Sequence, residues 1–238
     1  MRIGAERQGA GMAALRSHLA ALLDLVLPAE CGGCGTPGPG WCAACDAGSG
    51  LPITVALAGG PEVVAAGRYR GPLRAALLAY KERGRRDLAP ALAEVLARAV
   101  PEAGTRPVVL VPVPSRPAAA RARGGDHVAR WCRLLVARRP GSTVAPVLRL
   151  GGRVRDSVGL DAGARAANLA GRVAVAAGPL PPAGAAVVLV DDVLTTGATV
   201  LACAAALASA GVVVGRAAVL CDATGGGAGA PVAAGRSV

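Results

Sequence analysis

The sequence lacks phenylalanine altogether, and it holds only two Trp and two Tyr among 238 residues. Proteins that bind single-stranded nucleic acids stack the bases on aromatic side chains. Trp131 is the only aromatic residue in the most basic stretch of the chain, so the sequence offers no such stacking surface there. The composition therefore disfavours a specific nucleic-acid reader.

Lysine is almost absent: Lys81 is the only one, and arginine supplies the rest of a net charge of +11. Residues 101–172 carry thirteen arginines against four acids. Such a charge suits phosphates or nucleic acids but cannot choose between them. The stretch is interpreted either as a solvated face or as a non-specific contact with a partner such as single-stranded DNA.

The chain also lacks an uninterrupted apolar run of about 20 residues, which a membrane-spanning helix needs. Its longest apolar stretch before the cysteines, residues 12–27, is interrupted by Arg16, His18 and Asp24. We expect no membrane span, an amphipathic N-terminal helix within residues 1–27, and a cytoplasmic protein without a secretory leader. The Gly/Ala-rich residues 223–238 are predicted to be a disordered tail.

Four of the seven cysteines form two Cys-x-x-Cys pairs separated by seven residues: Cys31, Cys34, Cys42 and Cys45. Two such pairs can supply the four thiolates of a tetrahedral structural Zn²⁺ site. A disulfide framework and a redox-active pair are the alternatives. The other three cysteines are scattered singly through apolar segments, so structural zinc is the preferred interpretation.

The most informative segment is residues 187–199. Its apolar start, 187–190, is typical of a strand buried on both faces of a parallel sheet. Asp191 and Asp192 follow, at the end where open α/β sheets bind ligands, and a Thr-Thr-Gly-Ala-Thr loop then opens a helix whose N-terminus suits a phosphate. An ordinary capped helix would explain one threonine and the glycine but not two acids. We predict a ribose 5-phosphate pocket.

A second buried strand, 108–113, ends in a Pro-Val-Pro sequence and is followed by several arginines. A loop at the carboxyl end of a strand, surrounded by arginines, is suited to clamp a pyrophosphate. Lys81 closes a predicted helix that presents Leu73, Leu77, Leu78 and Tyr80 on one face. Its ammonium is interpreted either as a point charge directed at a phosphate or as a solvated helix end.

Residues 187–199 resemble the 5-phosphoribosyl-1-pyrophosphate (PRPP) signature of type I phosphoribosyltransferases. The resemblance implies that Asp191 and Asp192 hold the ribose hydroxyls as the catalytic pair and that Mg²⁺ accompanies PRPP. The implied PRPP-binding residues are Asp191, Asp192, Thr195, Thr196, Gly197, Ala198 and Thr199, with Pro112, Val113, Pro114, Ser115, Arg116 and Lys81 near the pyrophosphate.

Over residues 22–221 the order of motifs resembles the ComF family of competence-associated, phosphoribosyltransferase-like proteins. The shared features are the cysteine pairs, a Tyr-Arg-Gly-Pro segment at 69–72, the Val-Pro-Val-Pro strand end, an Arg-Gly-x-Asp-His segment at 123–127, and Arg165 with Asn168 before the PRPP loop. Gly125, where the family has an aromatic residue, and Ser157, where it has Gln, depart from the pattern.

The resemblance implies an α/β fold with a type I phosphoribosyltransferase-like parallel sheet and flanking helices. We expect strands near 63–69, 107–113, 186–191 and 212–220. The predicted units are a zinc knuckle at 28–50 and a phosphoribosyltransferase-like domain at 51–222. The implied function is transfer of phosphoribose to a base, with a link to DNA uptake. The alternative is a non-catalytic, PRPP-sensing accessory protein that contacts DNA or a helicase-like partner.

Overall fold

The computed structural model describes residues 30–122, 124–151 and 173–225. Its strands are β1 (Ile53–Val55), β2 (Glu62–Arg68), β3 (Val108–Pro112), β4 (Ser142–Val144), β5 (Leu148–Leu150), β6 (Val173–Val175), β7 (Ala186–Leu194) and β8 (Arg216–Asp222). Six of them form one sheet in the order β1-β2-β8-β7-β3-β4, and β5 pairs with β6 separately. Within the large sheet only the β1–β2 pair is antiparallel among the described residues.

Six α-helices lie within the described residues: α1 (Ala43–Gly48), α2 (Gly71–Glu82), α3 (Ala89–Ala97), α4 (Pro117–Ala122), α5 (His127–Val136) and α6 (Ala198–Ser209). One core cluster joins α2, α3 and α5 to one face of the sheet. A second cluster joins α6 and the β5–β6 pair to the other face. The expected α/β fold, with a mostly parallel sheet and helices on both faces, is confirmed.

Strand β7 lies at the centre of the sheet, because its residues Val187–Val190 present apolar side chains to both faces of the sheet. All four are buried, two against each helix layer. Its pairing with β3 ends at Pro112 and Val190, whereas its pairing with β8 continues to Leu194 and Asp222. The last residues of β7 therefore project beyond β3 at the carboxyl edge of the sheet.

Strand β8 begins later than the sequence predicts, at Arg216 and not at 212. The N–H of Val212 donates to the carbonyl of Leu207 and closes the end of α6. Gly215 N–H then donates to Val187 O, and ladder pairing starts at Arg216 opposite Val188. The apolar pattern extends through this connection because Val212 is buried under the helix layer.

The amphipathic helix predicted within residues 1–27 lies outside the described residues, as do Ser157, Arg165, Asn168 and the tail from residue 226. The boundaries of the predicted units stay a prediction. Among the helices of the described ranges, none has the length and apolarity that crossing a bilayer requires.

Candidate functional site

The two adjacent acids of β7 point to opposite faces of the sheet because side chains alternate along a strand. Val190 packs in the core under α2, α3 and α5, and Asp192 points to the same side. Leu189 packs in the core under α6, and Asp191 shares that side. The alternation gives the two carboxylates different neighbours, although both line one cavity at the strand's end.

Asp192 is bound from two helices. Lys81 Nζ, in the last turn of α2, donates to Asp192 Oδ2 at 2.6 Å. His127 Nε2, in the first turn of α5, lies 2.6 Å from the same oxygen. The Lys81 side chain is only 22% exposed, so at the end of its helix it contacts a carboxylate instead of being fully solvated. Its contact with a phosphate stays a prediction.

The pKa values of the two acids move in opposite directions. Burial and the neighbouring Asp192 charge raise the pKa of Asp191 to about 8. Burial also opposes ionisation of Asp192, but the His127 hydrogen bond and the Lys81 charge outweigh it and hold the pKa of Asp192 below its usual range. At neutral pH the carboxyl end of β7 therefore carries one permanently ionised carboxylate, Asp192, and one carboxyl group, Asp191, that can take up or release a proton.

His127 is a site residue that was not among the predicted binding residues, although it ends the Arg-Gly-x-Asp-His segment at 123–127. Asp126 caps α5 by accepting from Ala129 N–H, and its other oxygen accepts from Ser115 N–H after β3. This cap fixes His127 at the start of the helix, where the ring contacts Trp131 edge-on. The available signal was that the chain holds only two histidines and that this one follows a helix-capping aspartate.

The Thr-Thr-Gly-Ala-Thr loop turns the chain from β7 into α6. Gly197 adopts a left-handed φ of 77° and precedes the first helical residue, Ala198. A Cβ at this position would collide with Leu57, from the connection between β1 and β2. Thr195 and Thr196 are exposed, and at this end of α6 the side-chain bond among the described residues runs from Ala198 N–H to Thr196 Oγ1, at 3.4 Å. The next N–H groups in the first turn of this 12-residue helix stay available to a ligand.

A cavity of about 310 Å³ lies between the loop after β3, the end of β7 and the start of α6. We call it the ribose cavity. The predicted site residues that line it are Val113, Pro114, Ser115, Arg116, Asp191, Asp192 and Thr199.

Other predicted site residues lie beside the ribose cavity. Pro112 belongs to β3 itself, residues 195–197 form the adjoining loop, Ala198 begins α6, and Lys81 reaches Asp192 from a neighbouring cavity. His127 and Cys203, which were not predicted, contribute to the wall. The structure thus brings the two separately predicted segments, 113–116 and 191–199, to one place.

The second predicted centre is the cysteine cluster. The Sγ atoms of Cys31, Cys34, Cys42 and Cys45 all lie within 4.8 Å of one another. A tetrahedral zinc tetrathiolate, with Zn–S bonds of about 2.3 Å, requires sulfur atoms about 3.8 Å apart. The observed separations are 3.6 Å for Cys31–Cys45 and 3.7 Å for Cys34–Cys42. All seven cysteines are free, and the geometry of the cluster favours zinc over a disulfide framework. The redox-active alternative stays a prediction.

Backbone N–H groups around the cluster favour the thiolate form of Cys31, which is the form that binds a metal cation. Burial works against ionisation of Cys31, but N–H groups of Cys34, Cys42 and Gly33 outweigh it and lower the pKa of the Cys31 thiol to about 6. Burial and the adjacent sulfurs raise the pKa of Cys45. Four thiolates this close repel one another, so a full set needs a bound dication.

The cluster is packed on the main domain. Gly32 lies directly over Leu88, which is fully buried. Arg85 donates to Glu30 O at 2.8 Å and also pairs with Asp87. On the other side, Arg98 after α3 pairs with Asp46 of α1 at 2.6 Å. The cysteine cluster therefore packs against the connection from α2 to α3 and supports it.

Residues 165–230 match the family model described as the phosphoribosyl transferase domain. The match covers β6, β7, α6 and β8, and so contains both acids and the glycine loop. No curated protein matches the chain. The domain match, together with the α/β fold, supports a phosphoribosyltransferase-like family and a PRPP-type ligand.

Proposed function

We propose that the protein is a PRPP-binding phosphoribosyltransferase of the ComF type, which transfers phosphoribose to a base with release of pyrophosphate. The observation that carries the proposal is the convergence of Asp191, Asp192 and the helix-opening loop at the carboxyl end of the central strand. A phosphate site and two sugar-binding acids at one cavity match the chemistry of a ribose 5-phosphate.

In this proposal the 5-phosphate of PRPP binds the loop 195–199, and the ribose hydroxyls donate to the two acids. The pyrophosphate then lies towards Pro114, Ser115 and Arg116, which form the opposite wall of the ribose cavity. Arg116 is exposed and pairs with no carboxylate among the described residues, so its guanidinium is available to phosphate oxygens.

The reaction forms one bond and breaks one. The lone pair of the acceptor nitrogen attacks the anomeric carbon, the bond to the pyrophosphate oxygen breaks, and pyrophosphate leaves with that electron pair. The acceptor nitrogen loses its proton to solvent. Positive charge develops on the ribose in the transition state, and the ionised Asp192 lies where it can stabilise that charge. The protein's main contribution is to position the reactants.

The site residues fit a Mg²⁺ ion carried by PRPP, because carboxylates are oxygen ligands of the kind that Mg²⁺ prefers. Asp192 Oδ2 already accepts from Lys81 and His127. Asp191 Oδ1 accepts a hydrogen bond from Asp192 N–H. The other carboxylate oxygen of Asp191 is therefore the one more available as a ligand to the ion. When bound, the ion would neutralise charge on the departing pyrophosphate.

The first test is calorimetric titration of the protein with PRPP in the presence of Mg²⁺. The wild type should bind, and the double variant Asp191→Asn with Asp192→Asn should lose measurable binding while keeping its circular dichroism spectrum. The charge-matched control is Glu94→Gln with Glu102→Gln, because both side chains are at least 66% exposed and away from the cavity. Affinity that survives in the aspartate variant would refute the pocket.

A non-catalytic, PRPP-sensing accessory protein that contacts DNA or a helicase-like partner is the second candidate, in keeping with the link to DNA uptake. Five arginines of the basic stretch are exposed and have no ion-pair partner within the described residues: Arg106, Arg116, Arg121, Arg133 and Arg149. Binding of single-stranded DNA through these side chains should weaken steeply between about 50 and 200 mM salt, because each phosphate contact releases condensed counterions. A response that does not change with salt would exclude this contact.

A further inference from the structure

A second cavity, of about 460 Å³, adjoins the ribose cavity. We call it the arginine cavity and define it by Tyr80, Lys81, Arg86, Gly125, His127 and Arg130. It shares two wall residues, Ala119 and His127, with the ribose cavity. Lys81 stands at the junction, because its ammonium contacts Asp192 while its side chain lines the arginine cavity. A ligand in the second cavity would therefore lie beside a ligand in the first.

Two guanidinium groups converge on one turn of the arginine cavity. The Arg86 guanidinium lies against Gly124, so closely that a Cβ there would collide with it. Arg130 Nη2 would lie 3.7 Å from a Cβ at Gly125 and is 3.4 Å from Gly124 O. The two glycines permit this close approach because they carry no side chain.

Neither guanidinium is neutralised within the described residues. Arg86 and Arg130 form no ion pair there, and Lys81 is already paired with Asp192. Glu82 is the only carboxylate that lines the cavity among the described residues, and it is exposed. Converging like charges repel each other, and an anion with two oxygens would relieve that repulsion through charge-assisted hydrogen bonds.

The wall of the cavity also contains a hydroxyl group that can donate a hydrogen bond, that of Tyr80. The Tyr80 ring stacks on the buried Trp131 with 5.5 Å between ring centroids. Burial raises the pKa of Tyr80 although the charge of Arg130 opposes this shift. The hydroxyl group therefore stays protonated at neutral pH, next to the two arginines.

We propose that the arginine cavity binds a carboxylate or phosphate group of the acceptor, so that the base receiving the phosphoribose is an anionic one. This inference rests on the proposed function, because an acceptor is needed only if PRPP is bound in the ribose cavity. The size of the arginine cavity, larger than the ribose cavity, gives room for a ring together with its anionic group.

The test uses phenyl phosphate and benzoate as anionic probes and benzamide as the neutral one, each titrated calorimetrically into the full-length protein. The cavity variant is Arg86→Ala with Arg130→Ala. The control is Arg74→Ala with Arg138→Ala, which removes the same charge from two exposed arginines outside both cavities, one on α2 and one just after α5. All titrations are repeated with saturating Mg²⁺ and PRPP, and with Asp191→Asn.

We expect the wild type to bind at least one anionic probe, whether or not PRPP is present, and to bind benzamide at least tenfold more weakly. The cavity variant should lose at least tenfold in probe affinity, and the control should stay within twofold of wild type. Phenyl phosphate favoured over benzoate would assign a phosphorylated acceptor, and the reverse a carboxylated one.

Four results would overturn the proposal: no binding of either anionic probe, equal binding by wild type and cavity variant, an equal loss in the control, or one-for-one displacement of the probe by PRPP. Displacement would mean that the cavity holds the pyrophosphate of PRPP. Failure of the proposed function has a separate signature, because PRPP itself would then not bind whatever the probes do.

Discussion

Asp192 shares one oxygen between a lysine and a histidine from different helices, and this arrangement separates the roles of two identical side chains. The paired acid is held in its ionised form. Asp191 points to the other face, has no cationic partner within the described residues, and keeps a proton to higher pH. The arrangement predicts that ligand binding changes the protonation of Asp191 and leaves that of Asp192 unchanged.

Mg²⁺ and PRPP should therefore displace a proton from Asp191. The pKa of Asp191 is about 8 in the unliganded protein, and a cation with sugar hydroxyls favours the carboxylate. Binding at pH 7 should release close to one proton and become tighter as the pH rises towards 8, with the release vanishing about one pH unit above that pKa. Calorimetry in buffers of different ionisation enthalpy measures the released protons.

Asp191→Asn is the matched variant for this measurement, since it removes the proton and preserves the shape of the side chain. Any binding that it retains should release no proton at pH 7. Proton release of the wild-type size in Asp191→Asn would assign the titration to another group.

At the scale of elements, the site depends on the junction of β7, its loop and α6. Gly197 is required there for two reasons, the left-handed φ of 77° and the close approach of Leu57. The side chain of Leu57 packs against the second core cluster, so the loop between β7 and α6 is supported by the connection that precedes β2. The backbone conformation and the packing against Leu57 therefore both favour glycine at position 197.

Gly197→Ala should destabilise the protein by roughly 1–3 kcal/mol, because the added Cβ is strained in this conformation and collides with Leu57. It should also weaken PRPP binding, since the first turn of α6 must shift. Chemical denaturation and PRPP titration measure the two effects. Gly211→Ala is the control: its φ is 78°, but no atom lies within 4 Å of a Cβ there. The control should show a stability loss from strain alone and normal PRPP affinity; equal PRPP affinity in both variants would contradict the role of the loop.

The local elements of this site are readable from the sequence, and its long-range contacts are not. The apolar run before Asp191 predicts β7, and the Leu73, Leu77 and Tyr80 face predicts α2, because both signals are local. The three-residue strands β1, β4, β5 and β6 are too short to produce such a pattern.

The partners of Asp192 show why long-range contacts cannot be predicted from local sequence patterns. Lys81 is separated from it by 111 positions and His127 by 65, so no spacing rule connects them. Only the sheet order, which places the elements after β2 and β3 around the end of β7, brings them together.

At the scale of the whole molecule, the cysteine cluster and the candidate ligand site are linked through the segment between α2 and α3. Gly32 of the cysteine cluster covers Leu88, and Arg85 binds Glu30 O. Arg86, which lines the arginine cavity, lies between these two contacts in the chain. Losing the metal should therefore disturb the cavity as well as the knuckle.

Cys45→Ser should remove zinc from the protein, lower its stability by at least about 2 kcal/mol, and expose Leu88. Zinc per chain is measured by mass spectrometry and stability by denaturant unfolding. Cys132→Ala, a buried cysteine outside the cluster, should keep one zinc per chain despite the packing defect. One zinc per chain in Cys45→Ser would contradict ligation by four thiolates.

The position of β8 sets the order in which the molecule can be assembled. Among the described strands it is the last in sequence, yet it pairs with β2 on one side and β7 on the other. A nascent chain that has made β7 but not β8 holds two sheet fragments with unpaired edges, and such edges favour aggregation. During synthesis the candidate ligand site therefore stays incomplete until this strand has left the ribosome.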